Sequence, residues 1–260
     1  MIGLLLVRKE DLDKVRDVLQ NCRRKEGYEG ELPFAELPKS FGGDWSGKAR
    51  VAREFLRAFE NCLHDRVFFS ALAEDRHSPR FDHERFATEF HAYNRFTAMA
   101  LKAAIAWHLG PQELDTVTLH FISDAKNRTT RPDRCWTDNF EQYLPYRAEL
   151  NSFLNQWPRY PLLNVDLELC DSAKEDLLQL RDFLLGATQM ALVAGSSRPT
   201  KRELGEMIVR WYRDLRQPPR KQKFGLHRKF NLWGFPDENG RPYNKVELAL
   251  NIDDGQLRLF

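Results

Sequence analysis

The strongest constraint on the fold of this 260-residue chain is an alternation of short apolar runs with longer stretches of helical periodicity. Ile2–Val7 is apolar throughout, and Thr116–Ile122 alternates apolar with polar residues, as half-buried strands do. The predicted strands are Ile2–Val7, Val67–Leu72, Thr116–Ile122 and Asn164–Leu169. The predicted helices are one after Glu10, Lys48–His64, Asp82–Leu109, Thr137–Gln156, Lys174–Val193 and Pro199–Leu215. This order predicts an α/β fold in which helices cover the faces of a sheet.

Composition and cysteine spacing indicate a soluble protein. Hydrophobic residues make up 42% and charged residues 30% of the chain, which argues against global disorder and against a membrane-embedded protein. The apolar stretch Leu177–Ala194 contains Arg181 and Asp182, which argues against a transmembrane helix. The four cysteines lie far apart, without the close pairs that structural zinc sites need. We therefore expect a reduced, cytoplasmic protein with no membrane partner.

The net charge of +2 conceals two oppositely charged regions. Residues 198–229 contain 11 Lys or Arg and 3 Asp or Glu, a local charge of +8, so the remainder of the chain is acidic. This shift predicts a domain over residues 1–195 and an extension over 196–260, made of a basic helix, a linker and a small β appendage. Turn sequences around Lys245–Ile252 and Gln256–Phe260 predict the hairpin of that appendage.

A strand that ends in acidic residues, followed by a helix that carries a carboxylate, is the most informative local pattern. Asp171 follows the strand Asn164–Leu169, and Asp182 lies in the next helix. Their carboxylates could meet at one edge of the sheet, where they would suit a hard divalent cation. Alternatively, Asp171 or Ser172 caps the helix and Asp182 pairs with an arginine. The apolar residues around Asp182 favour the first interpretation, because a buried carboxylate needs a partner or a metal.

Three blocks of the chain resemble, in order, the RNase H-like family catalogued as domain of unknown function 3800. Ile2–Val7 and the helix after it are similar to the family's Gly-Gly-apolar strand and helix. Glu31-Leu32-Pro33-Phe34 is similar to its Glu-apolar-Lys-aromatic element. Its late Asp-Ser and Gln-apolar-x-Asp block matches Asp171-Ser172 and the residues Gln179, Asp182 and Gly186. The resemblance covers roughly residues 1–195.

The resemblance implies an RNase H-like mixed sheet and a metal-dependent nuclease or phosphoryl-transfer site. Carried over by position, Asp171, Asp182 and Glu31 would be catalytic residues that hold Mg²⁺ or Mn²⁺, with Asp124 as a further metal ligand. Paired metal ions activate a water and stabilise the leaving oxygen, which explains the need for clustered carboxylates.

The family's first strand, which carries an Asp-Glu-Ser signature, has no counterpart before Ile2. We therefore keep a second prediction, a catalytically inactive RNase H-like binding or assembly protein. Without that strand, Ile2–Val7 would lie at an edge of the sheet, where pairing with another segment or chain would favour a homodimer. Pro33 and Arg181 also differ from the residues usual at their positions.

The basic segment predicts contacts with DNA or RNA. Cations would bind phosphates while interleaved aromatic rings stack on bases. Alternatively, Ile208, Trp211 and Leu215 face the core and the arginines only face water. The predicted nucleic-acid-binding residues are Arg210, Arg213, Arg220, Lys221, Lys223, Arg228 and Lys229.

Overall fold

The computed structural model describes residues 1–63, 65–85, 89–125, 139–155, 160–216, 229–244 and 246–250. The helices are α1 (Leu12–Glu26), α2 (Gly47–Asn61), α3 (Glu89–His108), α4 (Phe140–Leu154), α5 (Asp176–Val193) and α6 (Pro199–Arg216). The strands are β1 (Ile2–Val7), β2 (Val67–Glu74), β3 (Thr116–Asp124), β4 (Leu162–Cys170) and β5 (Phe230–Phe235). The predicted α/β class is confirmed: a mixed sheet and a parallel sheet, with helices packed around them.

The strands form two separate ladders among the described residues. In the three-stranded sheet, β2 is central and pairs antiparallel with β1, with Ile2 opposite Leu72. On its other side β2 pairs parallel with β5, with Phe69 opposite Phe230. The second sheet consists of β3 and β4, parallel and in register from Thr116 opposite Leu162 onward. Among the described strands, β1 thus lies at an edge of its sheet.

Helices cover both faces of the three-stranded sheet. Phe69 of β2 and Leu232 of β5 belong to a core shared with α1, α2, α5 and α6. Ile2, Leu4 and Leu72, which point to the opposite face, pack with α3 and α4. Because successive residues of a strand alternate between faces, a sheet buried on both sides needs the nearly continuous apolar runs that β1 and β2 have.

The two-stranded sheet is covered on one face. Val117, Leu119 and Phe121 of β3, together with Leu163 of β4, pack against α3 and α4. The alternate residues of both strands are exposed, among them His120, which lies opposite Asp166. The period-2 pattern of Thr116–Ile122 therefore predicts the facing of this strand correctly.

The C-terminal region differs most from its sequence-based description. Strand β5 was not among the predicted strands, because Asn231 and Gly234 interrupt its apolar pattern and a basic, proline-containing run precedes it. Its side chains nevertheless join the main core, where β2 and α6 supply the packing. Residues 246–250, within the predicted hairpin, form no strand, and Lys245 and 251–260 lie outside the described residues.

Helix bounds agree with the predictions to within a few residues, except at α3. That helix begins at Glu89, and a short 3-10 turn occupies His83–Arg85. In the part of the chain that the structure describes, no helix combines the length and the apolar character needed to cross a bilayer.

Candidate functional site

A cavity of about 550 Å³ lies between α5 and the segments that surround its outer face. Three of the four predicted acidic site residues line it: Glu31 from the loop after α1, Asp124 from the end of β3, and Asp182 from α5. Ser172, from the turn after β4, also lines it, whereas Asp171 does not. The structure thus places three carboxylates around one cavity, although the first and the last of them, Glu31 and Asp182, are 151 residues apart in the sequence.

The loop that carries Glu31 reaches the cavity because α1 ends abruptly. Gly27 adopts the left-handed conformation at φ 61°, which terminates α1 and redirects the chain. Farther along, the Phe34 ring packs directly on α5: a β carbon at Gly186 would lie 2.3 Å from Cγ of Phe34. Only a glycine at position 186 allows the loop to approach the helix this closely.

Asp182 is held by the same loop. One of its oxygens, Oδ2, accepts a hydrogen bond from the backbone N–H of Phe34 at 3.1 Å. The alternative in which Asp182 pairs with an arginine is not observed among the described residues, where no cation lies within ion-pair distance of it. The carboxylate therefore faces the cavity without a neutralising side chain from the described part of the protein.

Asp171 instead caps the turn that follows β4. Its Oδ1 accepts a hydrogen bond from the N–H of Ala173 at 3.0 Å, and the residue is exposed. Asp171 thus caps the 3-10 turn Ser172–Lys174 and not the helix of the capping alternative, since the N-cap of α5 is Glu175, which accepts from the N–H of Leu177. Its role as a metal ligand stays a prediction. Asp171 is adjacent in sequence to Ser172, which lines the cavity.

Two basic residues that were not predicted as site residues also line the cavity. Lys201, in the first turn of α6, donates a hydrogen bond to the carbonyl of Ala35 at 3.0 Å and lies 5.2 Å from the centre of the Phe34 ring. Burial, reinforced by the nearby Arg198, lowers the pKa of Lys201. Arg181 precedes Asp182 on α5. Within the described ranges, neither cation has a carboxylate partner.

The sequence alone does not predict that Arg181 and Lys201 line the cavity. Arg181 is noticeable only as a departure from the pattern of the resembling family, and Lys201 falls inside a helix where many residues are basic. Its location at the cavity depends on how α6 packs against the loop. Arg198 and Thr200 fix that packing by hydrogen bonds to the carbonyls of Leu37 and Pro38.

The carboxylates that line the cavity suit a divalent cation only together with other ligands. Among the residues whose placement is described, no group of three or more His, Cys, Asp or Glu side chains could hold a metal ion by itself. Mg²⁺, however, is commonly bound by one or two carboxylates, with waters and substrate phosphates as its other ligands. Asp182, with one oxygen hydrogen-bonded to the N–H of Phe34, fits that second arrangement, whereas the described side chains do not form a complete cage.

The predicted nucleic-acid-binding residues are distributed differently from the expectation. Arg213 is exposed and Arg210 half-buried on α6, while Ile208 and Trp211 of the same helix are in the core. Lys229 is 2% exposed, and its ammonium donates to the carbonyls of Phe59 and Glu60 at the end of α2, so it does not lie on the surface. The other four predicted residues lie outside the described residues: Arg220, Lys221, Lys223 and Arg228.

Fold and site together define an α/β protein with a cavity lined by carboxylates and by two cations that have no carboxylate partner among the described residues. Comparisons of the chain with protein-family models, with curated proteins and with solved structures found no match. The RNase H-like resemblance therefore stays a prediction.

Proposed function

We propose that this protein is a divalent-metal-dependent nuclease, or a related phosphoryl-transfer enzyme, that has an RNase H-like architecture and acts on nucleic acid. The observation that supports the proposal is the composition of the cavity. Asp182, Glu31 and Asp124 line it together with Arg181 and Lys201. A phosphodiester bound beside a metal ion needs both kinds of group, because the ion requires oxygen ligands and the phosphate requires cations.

In this proposal the carboxylates and the cations have separate tasks. Asp182, with Glu31 or Asp124, would hold Mg²⁺ or Mn²⁺, and Lys201 and Arg181 would orient the phosphate. The bound metal would activate a water and stabilise the leaving oxygen. The N–H of Phe34 fixes Oδ2 of Asp182, so this carboxylate is already oriented before any ligand binds. Asp171 does not line the cavity, so it would join the set only if the turn after β4 moved.

The proposal is tested by cleavage of labelled single-stranded and double-stranded DNA and RNA with Mg²⁺ or Mn²⁺. We expect Asp182→Asn to reduce the cleavage rate by at least about 100-fold, because loss of groups that merely support metal ligands already costs 10–100-fold. Asp166→Asn is the matched control, since Asp166 is exposed on β4 and does not line the cavity. No metal-dependent cleavage of any of these substrates by the wild-type protein would refute the enzyme proposal.

A non-catalytic nucleic-acid-binding or assembly protein is the second candidate. It is favoured by the position of Asp171, a predicted catalytic carboxylate that does not line the cavity and instead accepts a hydrogen bond from the N–H of Ala173. In that case the protein would bind nucleic acid without cleaving it, and the affinity would fall steeply between about 50 and 200 mM salt as counterions are released. Arg213→Gln should then weaken binding, because this residue is exposed on α6. Binding that is insensitive to salt would contradict this candidate.

We also propose that the protein forms a homodimer through the edge of β1. Among the described residues, β1 pairs with β2 alone, so its outer backbone groups have no strand partner there. Unpaired edges invite pairing with another strand. Light scattering across a concentration series tests this, and a monomeric mass at every concentration would contradict it.

A further inference from the structure

A buried hydrogen-bond network centred on Gln179 joins three of the segments that line the cavity. Gln179 is 3% exposed. Its Oε1 accepts from Nη2 of Arg23 at 2.7 Å and from the backbone N–H of Leu32 at 3.1 Å. Its Nε2 donates to the carbonyls of Ser172 at 2.9 Å and Ala173 at 3.1 Å. The amide thus uses both acceptor sites and both donor hydrogens, which is its full capacity.

The surroundings of Gln179 determine which way its amide points. The groups of Arg23 and Leu32 that contact the amide are N–H donors, and those of Ser172 and Ala173 are carbonyl acceptors. A rotation of the amide by 180° would place donors against donors and acceptors against acceptors. Asparagine carries the same amide on a side chain one methylene shorter, and glutamate has acceptors alone, so neither substitution keeps all four bonds at this distance from α5.

Arg23 extends the network to the loop that carries Glu31. Its guanidinium donates from Nη1 to the carbonyl of Gly30 at 2.9 Å and to that of Tyr28 at 3.3 Å, and from Nε to Asp176 at 2.7 Å. Arg23 is 8% exposed, and a buried charge of this kind is tolerated only when its donors are satisfied. The arginine therefore fixes the backbone immediately before Glu31.

We propose that Gln179 and Arg23 are positioning residues of the candidate site: they set the Glu31 loop and the turn at Ser172 relative to Asp182. Gln179 precedes Asp182 by three residues on α5, so the two side chains are neighbours on the helix surface. The backbone of Leu32 bonds to Gln179, and that of Phe34 bonds to Asp182. One face of α5 therefore holds the loop at two points on either side of Pro33. This inference rests on the proposed function only where it concerns metal binding.

Two substitutions separate the two halves of the network. Gln179→Glu keeps acceptors for Arg23 and Leu32 but turns a carboxylate oxygen toward the carbonyls of Ser172 and Ala173. We expect faster amide hydrogen exchange in residues 171–176 of this variant, with little change in 28–37. Arg23→Lys keeps a charge near Asp176 but loses the bonds of the guanidinium fork. We expect faster exchange in residues 28–37, with little change in 171–176.

The functional consequence is measured as the affinity of the full-length protein for Mn²⁺. We expect both variants to raise the Mn²⁺ dissociation constant by about 10-fold, the lower end of what residues that orient metal ligands contribute. Leu144→Ala is the control for general destabilisation, because Leu144 is fully buried in the core between α3 and α4, away from the cavity lining. Urea denaturation shows how much each variant is destabilised overall.

The outcomes discriminate between the two proposals. Local exchange that is unchanged in both variants would overturn the positioning role, as would Mn²⁺ affinity that falls equally in Leu144→Ala. If wild-type protein binds no Mn²⁺, the proposed function fails, and the exchange pattern alone decides whether the network sets the cavity walls. If Gln179→Glu does not fold, Arg23→Lys decides the question, since it leaves Gln179 in place.

Discussion

The two sheets of this protein differ in how many of their faces are covered. Helices bury both faces of the sheet β1-β2-β5, whereas the sheet β3-β4 has one face against α3 and α4 and the other exposed. The cavity lies where elements of both regions meet, since Asp124 ends β3 and Asp182 belongs to α5, a helix that packs on the three-stranded sheet. The cavity is thus lined by α5, which packs on the sheet covered on both faces, and by the end of β3, which belongs to the sheet covered on one face.

This difference predicts which parts of the site are rigid. Segments tied to the enclosed sheet have buried polar networks, such as the one around Gln179, and are expected to open only with the core. Asp124 stands on a strand whose outer face has no helix among the described residues. We therefore expect Asp124 to adapt to a bound ligand more readily than Asp182 does.

The largest expected effect comes from removing a ring in the enclosed sheet. Phe69 is fully buried on β2 and packs against Phe230 with ring centres 5.5 Å apart. We expect Phe69→Ala to lower the free energy of unfolding by about 3–5 kcal/mol. Phe121→Ala, on the half-covered sheet, should cost only about 1–2 kcal/mol, because its ring is half-buried and loses less apolar contact. Urea denaturation measures both.

Equal losses at Phe69 and Phe121 would contradict the comparison. They would indicate that the half-buried Phe121 ring is covered further in solution, by residues outside the described ranges or by a second molecule. Repeating the measurement at several protein concentrations separates these two explanations, because only a second molecule makes stability depend on concentration.

A smaller, pH-dependent effect is expected from Lys229, the residue before β5. Its ammonium lies 4.4 Å from the centre of the Phe59 ring and caps the carbonyl end of α2, and burial lowers the pKa of Lys229 to about 7. Because the folded-state pKa is below that of an exposed lysine, the unfolded chain binds more protons at neutral pH. The stability contributed by Lys229 is therefore lost as pH falls through about 7 and recovered as pH rises toward the unfolded pKa near 10.5.

Lys229→Met removes this titration while preserving most of the side-chain volume. We expect the stability of the wild type relative to the variant to increase between pH 7 and pH 10 by an amount on the order of 3 kcal/mol. Denaturation curves at each pH measure the difference. A constant difference over this range would mean that the ammonium reaches water and that β5 is less firmly docked on α2 than the structure indicates.

Local patterns were sufficient to predict the elements whose environment is simple. β1 to β4 and the six helices follow from apolar patterns, although α3 begins later than predicted, and the alternation in β3 also indicates its exposed face. β5 could not be predicted, since its burial depends on β2 and α6, which are remote in sequence. The position of Lys229 could not be predicted either. Its basic neighbours in the sequence suggest a phosphate contact, whereas its burial depends on the end of α2, which is remote in sequence.

The carboxylates of the candidate site were predicted in two ways. The pattern of a strand followed by a helix indicated Asp171 and Asp182, and the family resemblance added Glu31 and Asp124; the cavity is lined by all of these except Asp171. Arg181 and Lys201 were missed because a cation in a basic or amphipathic helix carries no local sign of facing a cavity. Arg23 was missed for a related reason: a buried arginine on α1 is recognisable only through its partners, which lie up to 156 residues away.

The smallest effect is expected on the exposed face of the two-stranded sheet. His120 lies between Asp166 and Glu168, with 3.0 Å from Nδ1 to Oδ2 of Asp166 and 3.0 Å from Nε2 to Oε2 of Glu168. All three side chains are at least half exposed, so water screens their attraction. We expect Glu168→Gln to change the free energy of unfolding by less than about 1 kcal/mol, and less again at high salt. Asp176→Asn, which acts on the buried Arg23, should cost several times more and provides the matched comparison. If Glu168→Gln lowered the free energy of unfolding as much as Asp176→Asn does, a partner would have to cover this face in the folded state. Both sheets would then be covered on two faces, and the face beside Asp124 would be part of an interface.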